Sequence, residues 1–156
     1  MRLDRAWIES HIPHQGRMCL LDEVLEWDAE RIRCRGTTHR AADHPLSGHG
    51  RLGIACGIEY AAQAMAVHAA LSGGAMAADG AEPGAPTAGF LASVRGVRFY
   101  ALRLDDVRDD LTCNALRIAG DQGTALYEFD VRAGATCLLR GRASVVLDAA
   151  DRLPPR

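Results

Sequence analysis

The sequence predicts an α+β domain in which one antiparallel sheet curls around a single long central helix. Three observations carry that prediction. Residues Ile54–Ser72 hold apolar side chains at helical spacing, with alanines filling most of the other positions. Two strand-like runs precede this segment, and four more follow it with alternation and turn residues between them. A helix without a polar face has to be buried, and a sheet wrapped around it is the simplest cover.

Taken in order, Arg5–His11 reads as a short helix that ends before Pro13. Met18–Val24 and Ile32–Thr38 read as strands joined by a turn at Trp27–Glu30. Ala41–Gly53 is a loop rich in Pro, Gly and Ser. The central helix is expected to stop at Gly73 and Gly74, and Ala75–Pro86 reads as a surface linker. Strands follow at Phe90–Tyr100, Leu111–Ile118, Thr124–Arg132 and Thr136–Leu147, with a turn at Gly120–Gly123. Residues 1–150 form one domain, and 151–156 are a polar tail expected to fray.

Composition narrows the classes. A chain of 156 residues with net charge −2 is long enough to bury a core and carries no overall basic footprint for nucleic acid. Arginine supplies all 18 Lys+Arg positions, so Schiff-base chemistry on a lysine is excluded. Cys19, Cys34, Cys56, Cys113 and Cys137 lie far apart with no CxxC pair, which suits free thiols in a reducing cytosol. The opening MRLDRAWIES lacks the apolar stretch of a signal peptide, so the expected location is cytoplasmic. Glu59, Gln63 and His68 interrupt the central helix, which argues against a membrane span.

The stretch that carries chemistry is His44–Leu71. Its loop holds two histidines, and its apolar helix holds one carboxylate, Glu59. A base and an acid at the mouth of a buried helix suit proton chemistry on an apolar substrate. A carboxylate in such a helix is unfavourable unless partnered, so Glu59 reads as functional rather than as a structural hydrogen bond. The bland readings are a capping role for His44, an exposed turn for His49, and a core amide for Gln63. Cys56 reads as a buried thiol and His68 as helix packing.

Ile12–Val24 (IPHQGRMCLLDEV), Glu59-Tyr60-Ala61-Ala62-Gln63, Gly89–Phe99 and Leu104–Cys113 stand in an order that resembles the hotdog-fold 3-hydroxyacyl-[acyl-carrier-protein] dehydratases. The resemblance covers nearly the whole chain and is strongest to a divergent branch found with aryl-polyene and related pigment clusters. There the segment before the helix reads like Gly-x-Leu-Pro; here it is Gly50-Arg51-Leu52-Gly53. Typical members carry a Gly-His-Phe-Pro loop. In this chain position 45 is proline, His44 stands one residue out of register, and Gly48-His49 offers the dipeptide closer to the helix.

The resemblance implies a hotdog fold and dehydration of carrier-bound 3-hydroxyacyl thioesters to trans-2-enoyl thioesters. It implies His44 as base, with His49 as the alternative, and Glu59 as an acid kept protonated by desolvation. Gly53, Ile54 and Ala55 would present backbone N–H groups to the thioester oxygen, and Gln63 would orient the site. His14 matches the family opening and reads as mainly structural. No metal or redox cofactor is implied, because the phosphopantetheine arm arrives on the substrate. The implied assembly is a homodimer or a trimer of dimers, with a hotdog heterodimer as the other form. Arg95, Arg98 and Arg103 are candidate carrier contacts. Two rival functions stay open: a catalytically weak subunit that supports an active partner, and an acyl-thioesterase.

Overall fold

The computed structural model describes residues 2–76, 89–121 and 123–147. Six antiparallel strands form one sheet in the order β1-β2-β4-β5-β6-β3. The strands are β1 (Glu23–Trp27), β2 (Arg31–Gly36), β3 (Gly89–Phe99), β4 (Leu111–Gly120), β5 (Thr124–Ala133) and β6 (Thr136–Leu147). A short helix α1 (Arg5–His11) precedes them, and the long helix α2 (Gly57–Met76) packs against β2, β4 and β5. The expected architecture of a sheet about one central helix holds.

Alternation decides which side chains meet that helix. Along β5, Ala125, Tyr127, Phe129, Val131 and Ala133 are buried while the intervening residues are only half-buried. On α2, Tyr60, Ala61, Ala64, Met65 and Val67 are at most 1% exposed, so the helix is enclosed on several sides. By length and composition 54–73 is apolar enough to cross a membrane, yet half of it is buried inside the fold. At the helix start, a Cβ on Gly57 would run into the Leu139 side chain of β6, so the glycine leaves room for that leucine.

Three local expectations change. Helix α2 runs through Gly73 and Gly74 to Met76, and neither glycine takes the positive φ of a helix stop. Two glycines disfavour a helix by about 1 kcal/mol each relative to alanine, a penalty that docking against a sheet offsets. Much of the remaining linker lies outside the described residues. The apolar run after Met18 does not pair as a strand. Cys19, Leu20 and Leu21 are fully buried, and the Leu20 N–H is satisfied by the Gln63 side chain instead of a ladder. Strand β1 therefore starts at Glu23 and includes Trp27, and Asp28 makes the turn by accepting from the Glu30 and Arg31 N–H groups.

Candidate active site

Glu59 lies in the first turn of α2 with its side chain 32% exposed. His14, on the segment leaving α1, places Nε2 3.0 Å from Glu59 Oε1. One helical turn on, Gln63 donates from Nε2 to the same oxygen at 3.3 Å and to the Met18 carbonyl at 2.7 Å. Gln63 Oε1 accepts the Leu20 N–H at 2.9 Å. Gln63 thus ties the buried 18–20 segment to the helix and orients the carboxylate. Glu59 Oε2 makes no hydrogen bond among the described residues.

A cavity of about 220 Å³ opens beside this pair, bounded by Pro13, Ala62, Ala66, Leu91 and Val145. Apart from His14 and Glu59 its walls are apolar, so it suits a hydrocarbon chain next to one carboxylate. The charge state of Glu59 differs from expectation. The His14 hydrogen bond holds its carboxyl below the usual range, with help from Gln63, against desolvation that pushes the other way. Two donors on one oxygen outweigh a partial burial, so Glu59 stands as a carboxylate.

His44 is 5% exposed and faces into the fold. Its Nδ1 accepts the Leu46 N–H at 3.1 Å, and its Nε2 lies 3.0 Å from the Tyr60 hydroxyl. The Tyr60 hydroxyl is 2.7 Å from Thr38 Oγ1, which donates to the Leu20 carbonyl at 2.8 Å. Donor counting orders this chain: His44 Nε2–H to Tyr60, Tyr60 O–H to Thr38, Thr38 O–H to Leu20. The imidazole is therefore neutral, and burial lowers its pKa in agreement. Its lone pair is spent on Leu46. His49 is exposed at the tip of a tight turn with φ 53°, and its ring makes no hydrogen bond, ion pair or ring contact among the described residues.

Of the expected thioester donors, Ile54 gives its N–H to the Leu102 carbonyl at 3.1 Å, while Gly53 and Ala55 are exposed. Asp105 stitches this entrance. It accepts from the Leu52 N–H at 3.1 Å and binds the Arg103 guanidinium through both oxygens. Arg103 is thereby paired, whereas Arg95 and Arg98 have no carboxylate partner among the described residues. Sequence reasoning missed His14 as the partner of Glu59, although the proline-histidine opening was the available signal. It also missed Tyr60 and Thr38, and nothing in the local pattern marks either.

The family model of the ApeP-like dehydratases, described as ApeP dehydratase, matches residues 6–152, nearly the whole chain. The chain belongs to the ApeP-like dehydratase family. Among solved structures, this family member is similar to the dehydratase heterocomplex ApeI:P from Xenorhabdus doucetiae, at 22% identity and TM-score 0.76, covering 90% of each chain. AziG of S. sahachiroi is 16% identical with TM-score 0.57, covering 80% of this chain and 89% of that one. Thioesterase HI1161 from Haemophilus influenzae is 12% identical with TM-score 0.54, covering 80% and 76%. These likenesses show the hotdog fold. No curated protein matches by sequence.

Proposed function

We propose that this chain is one subunit of a hotdog dehydratase acting on carrier-bound 3-hydroxyacyl thioesters, with Glu59 as its proton-transferring group. The observation that carries this reading is the open Oε2 of Glu59, held at an apolar cavity by His14 and Gln63. Dehydration breaks the Cα–H and Cβ–O bonds, forms the C=C bond and releases the hydroxyl as water. A base takes the Cα proton and an acid gives one to the hydroxyl. An acyl chain filling the cavity would deepen the desolvation of Glu59, the one influence there that favours the protonated acid. The phosphopantetheine arm comes with the substrate.

His44 serves as base in this reading only after its Nδ1 leaves the Leu46 N–H. In the closed arrangement the imidazole that takes the Cα proton comes from a second hotdog subunit. An identical subunit would bring the same closed His44, so the reading favours a heteromer, the assembly named for the similar ApeI:P structure. β3 is a free edge of the sheet, and Leu91 on that strand borders the cavity. A subunit pairing with β3 would complete the site.

The closed His44 also favours a second reading, in which the chain supports an active partner without chemistry of its own. Mass spectrometry of a 3-hydroxyacyl-carrier substrate, incubated with the chain alone and with a hotdog dehydratase partner, separates the readings. Water loss that needs both subunits and disappears in Glu59→Gln supports the proposal. Water loss that persists in Glu59→Gln leaves the supporting role, loss abolished by His44→Ala with the chain alone returns the base to His44, and a free acid product points to a thioesterase.

A further inference from the structure

We infer that Arg5 is a positioning residue for Glu59, holding the opening loop that brings His14 and the Met18 carbonyl to the start of α2. This rests on the role of Glu59 proposed above. The chain around Arg5 is itself fixed. The Leu3 carbonyl accepts the Val24 N–H at 2.9 Å, Asp4 bridges to Glu23, and Ile8 of α1 is fully buried. The first residue of α1 is thereby pinned to the start of β1 and to the core, and its side chain lies over residues 16–22.

The run Cys19–Leu21 is fully buried outside the sheet, so its peptide groups need partners other than a ladder. Leu20 finds Gln63 for its N–H and Thr38 for its carbonyl. The carbonyls on either side go to Arg5. Its Nη2 donates to Cys19 and, at 3.3 Å, to Gly16, and its Nη1 donates to Leu21 at 3.4 Å. Nη1 also reaches Asp22 Oδ1 at 3.4 Å, and Nε faces Glu9 at 3.4 Å. Among the described residues no backbone N–H bonds the Cys19 or Leu21 carbonyl. A planar guanidinium serves several acceptors at once, whereas an ammonium is a point charge without that fork.

The loop that Arg5 brackets is the one that touches the site. His14 stands just before Gly16, and its Nε2 is 3.0 Å from Glu59 Oε1. Met18 precedes Cys19, and its carbonyl takes Gln63 Nε2 at 2.7 Å, the same nitrogen that reaches Glu59 Oε1. The loop's own backbone bonds, Met18 N–H to Gln15 and Cys19 N–H to Gly16, close a single turn and do not tie that turn to the helix. A shift of the loop by about 1 Å would carry the His14 contact beyond hydrogen-bonding distance. Arg5 borders neither Glu59 nor the cavity, and the influences on the Glu59 carboxyl are His14, burial and Gln63. The effect of Arg5 on Glu59 therefore runs through the loop and not through its charge.

The test titrates the Glu59 carboxyl by carbon NMR on glutamate-labelled protein, with Glu59→Gln to identify the signal. Arg5→Ala keeps a good helix former and deletes the guanidinium. It is expected to move the titration upward, and added guanidinium ion should bring it back where sodium chloride at equal ionic strength does not. In a His14→Ala background the same change should move it much less, because the main route to Glu59 is gone. A titration unmoved in folded Arg5→Ala overturns the inference, as does an equal move with and without His14, or recovery in sodium chloride alone. Should Arg5→Ala fail to fold, Arg5→Lys decides: a smaller upward move upholds the role, and an unmoved titration overturns it. With the subunit combination that removes water, Arg5→Ala should lower kcat about tenfold or more and leave KM unchanged. A titration that moves while no combination removes water upholds the positioning, and the dehydratase reading alone fails. A fall in kcat with an unmoved titration overturns the positioning alone.

Discussion

His14 Nε2 stands 3.0 Å from Glu59 Oε1, joining the opening segment of the chain to the first turn of its central helix. This contact, together with Gln63, favours the ionised form of Glu59. Two consequences follow. His14→Ala should move the Glu59 carboxyl titration upward, read by carbon NMR on labelled glutamate, with His14→Gln moving it less because the amide restores a donor. In the active assembly, Glu59→Gln should lower kcat by about a hundredfold or more, the usual range for loss of an acid–base group.

A second prediction concerns the relay from His44 through Tyr60 and Thr38. Tyr60 is fully buried, so Tyr60→Phe strands the His44 Nε2–H and removes the donor to Thr38. The expected loss is about 1–3 kcal/mol of stability, measured by urea denaturation. Activity of the assembly should fall far less than in Glu59→Gln. A hundredfold loss of kcat in a folded Tyr60→Phe protein would instead put His44 in the chemistry.

The fold was legible because its signals are local. The period-two alternation of Thr124–Ala133 and the apolar helical spacing of the central helix each record burial directly. The bounds of Arg5–His11 and Thr136–Leu147 emerge as read. What escaped depends on contacts distant in sequence. The charge of Glu59 is decided by a histidine from the opening segment, and burial alone pointed the wrong way. The run Cys19–Leu21 looks like a strand because it is apolar, but its Leu20 amide is satisfied by a helix glutamine. Gly73 and Gly74 look like a stop, yet the helix runs past them to Met76.

Acid stability gives a third prediction. His39, His44 and His68 are buried, and in each case desolvation is the first cause lowering the pKa. His68 is held neutral by its bonds, with Nε2–H given to the Asp28 carbonyl at 2.8 Å and Nδ1 accepting from the Tyr127 hydroxyl at 2.8 Å. With folded values below the unfolded one, the unfolded chain binds more protons as pH falls below about 6.5. Stability should therefore be level at pH 7–8 and decline through pH 6 and 5, before the carboxylates titrate. Urea midpoints across that range check it, and His68→Gln should flatten the slope.

The packing of Leu139 against Gly57 supplies the last prediction. Gly57→Ala adds a Cβ 2.4 Å from Leu139 Cδ2, and Leu139 is fully buried. Overpacking of this kind is unfavourable by about 1–3 kcal/mol. Alanine in place of glycine favours a helix by up to about 1 kcal/mol, less at its first residue. The clash should win, leaving the single variant less stable by about 1–2 kcal/mol. Leu139→Ala alone should lose about 2–5 kcal/mol through the space it leaves. In that background the new methyl group has room, so Gly57→Ala should change sign and stabilise. A double-mutant cycle by chemical denaturation measures the reversal; strictly additive effects would mean that helix and strand adjust independently at this contact.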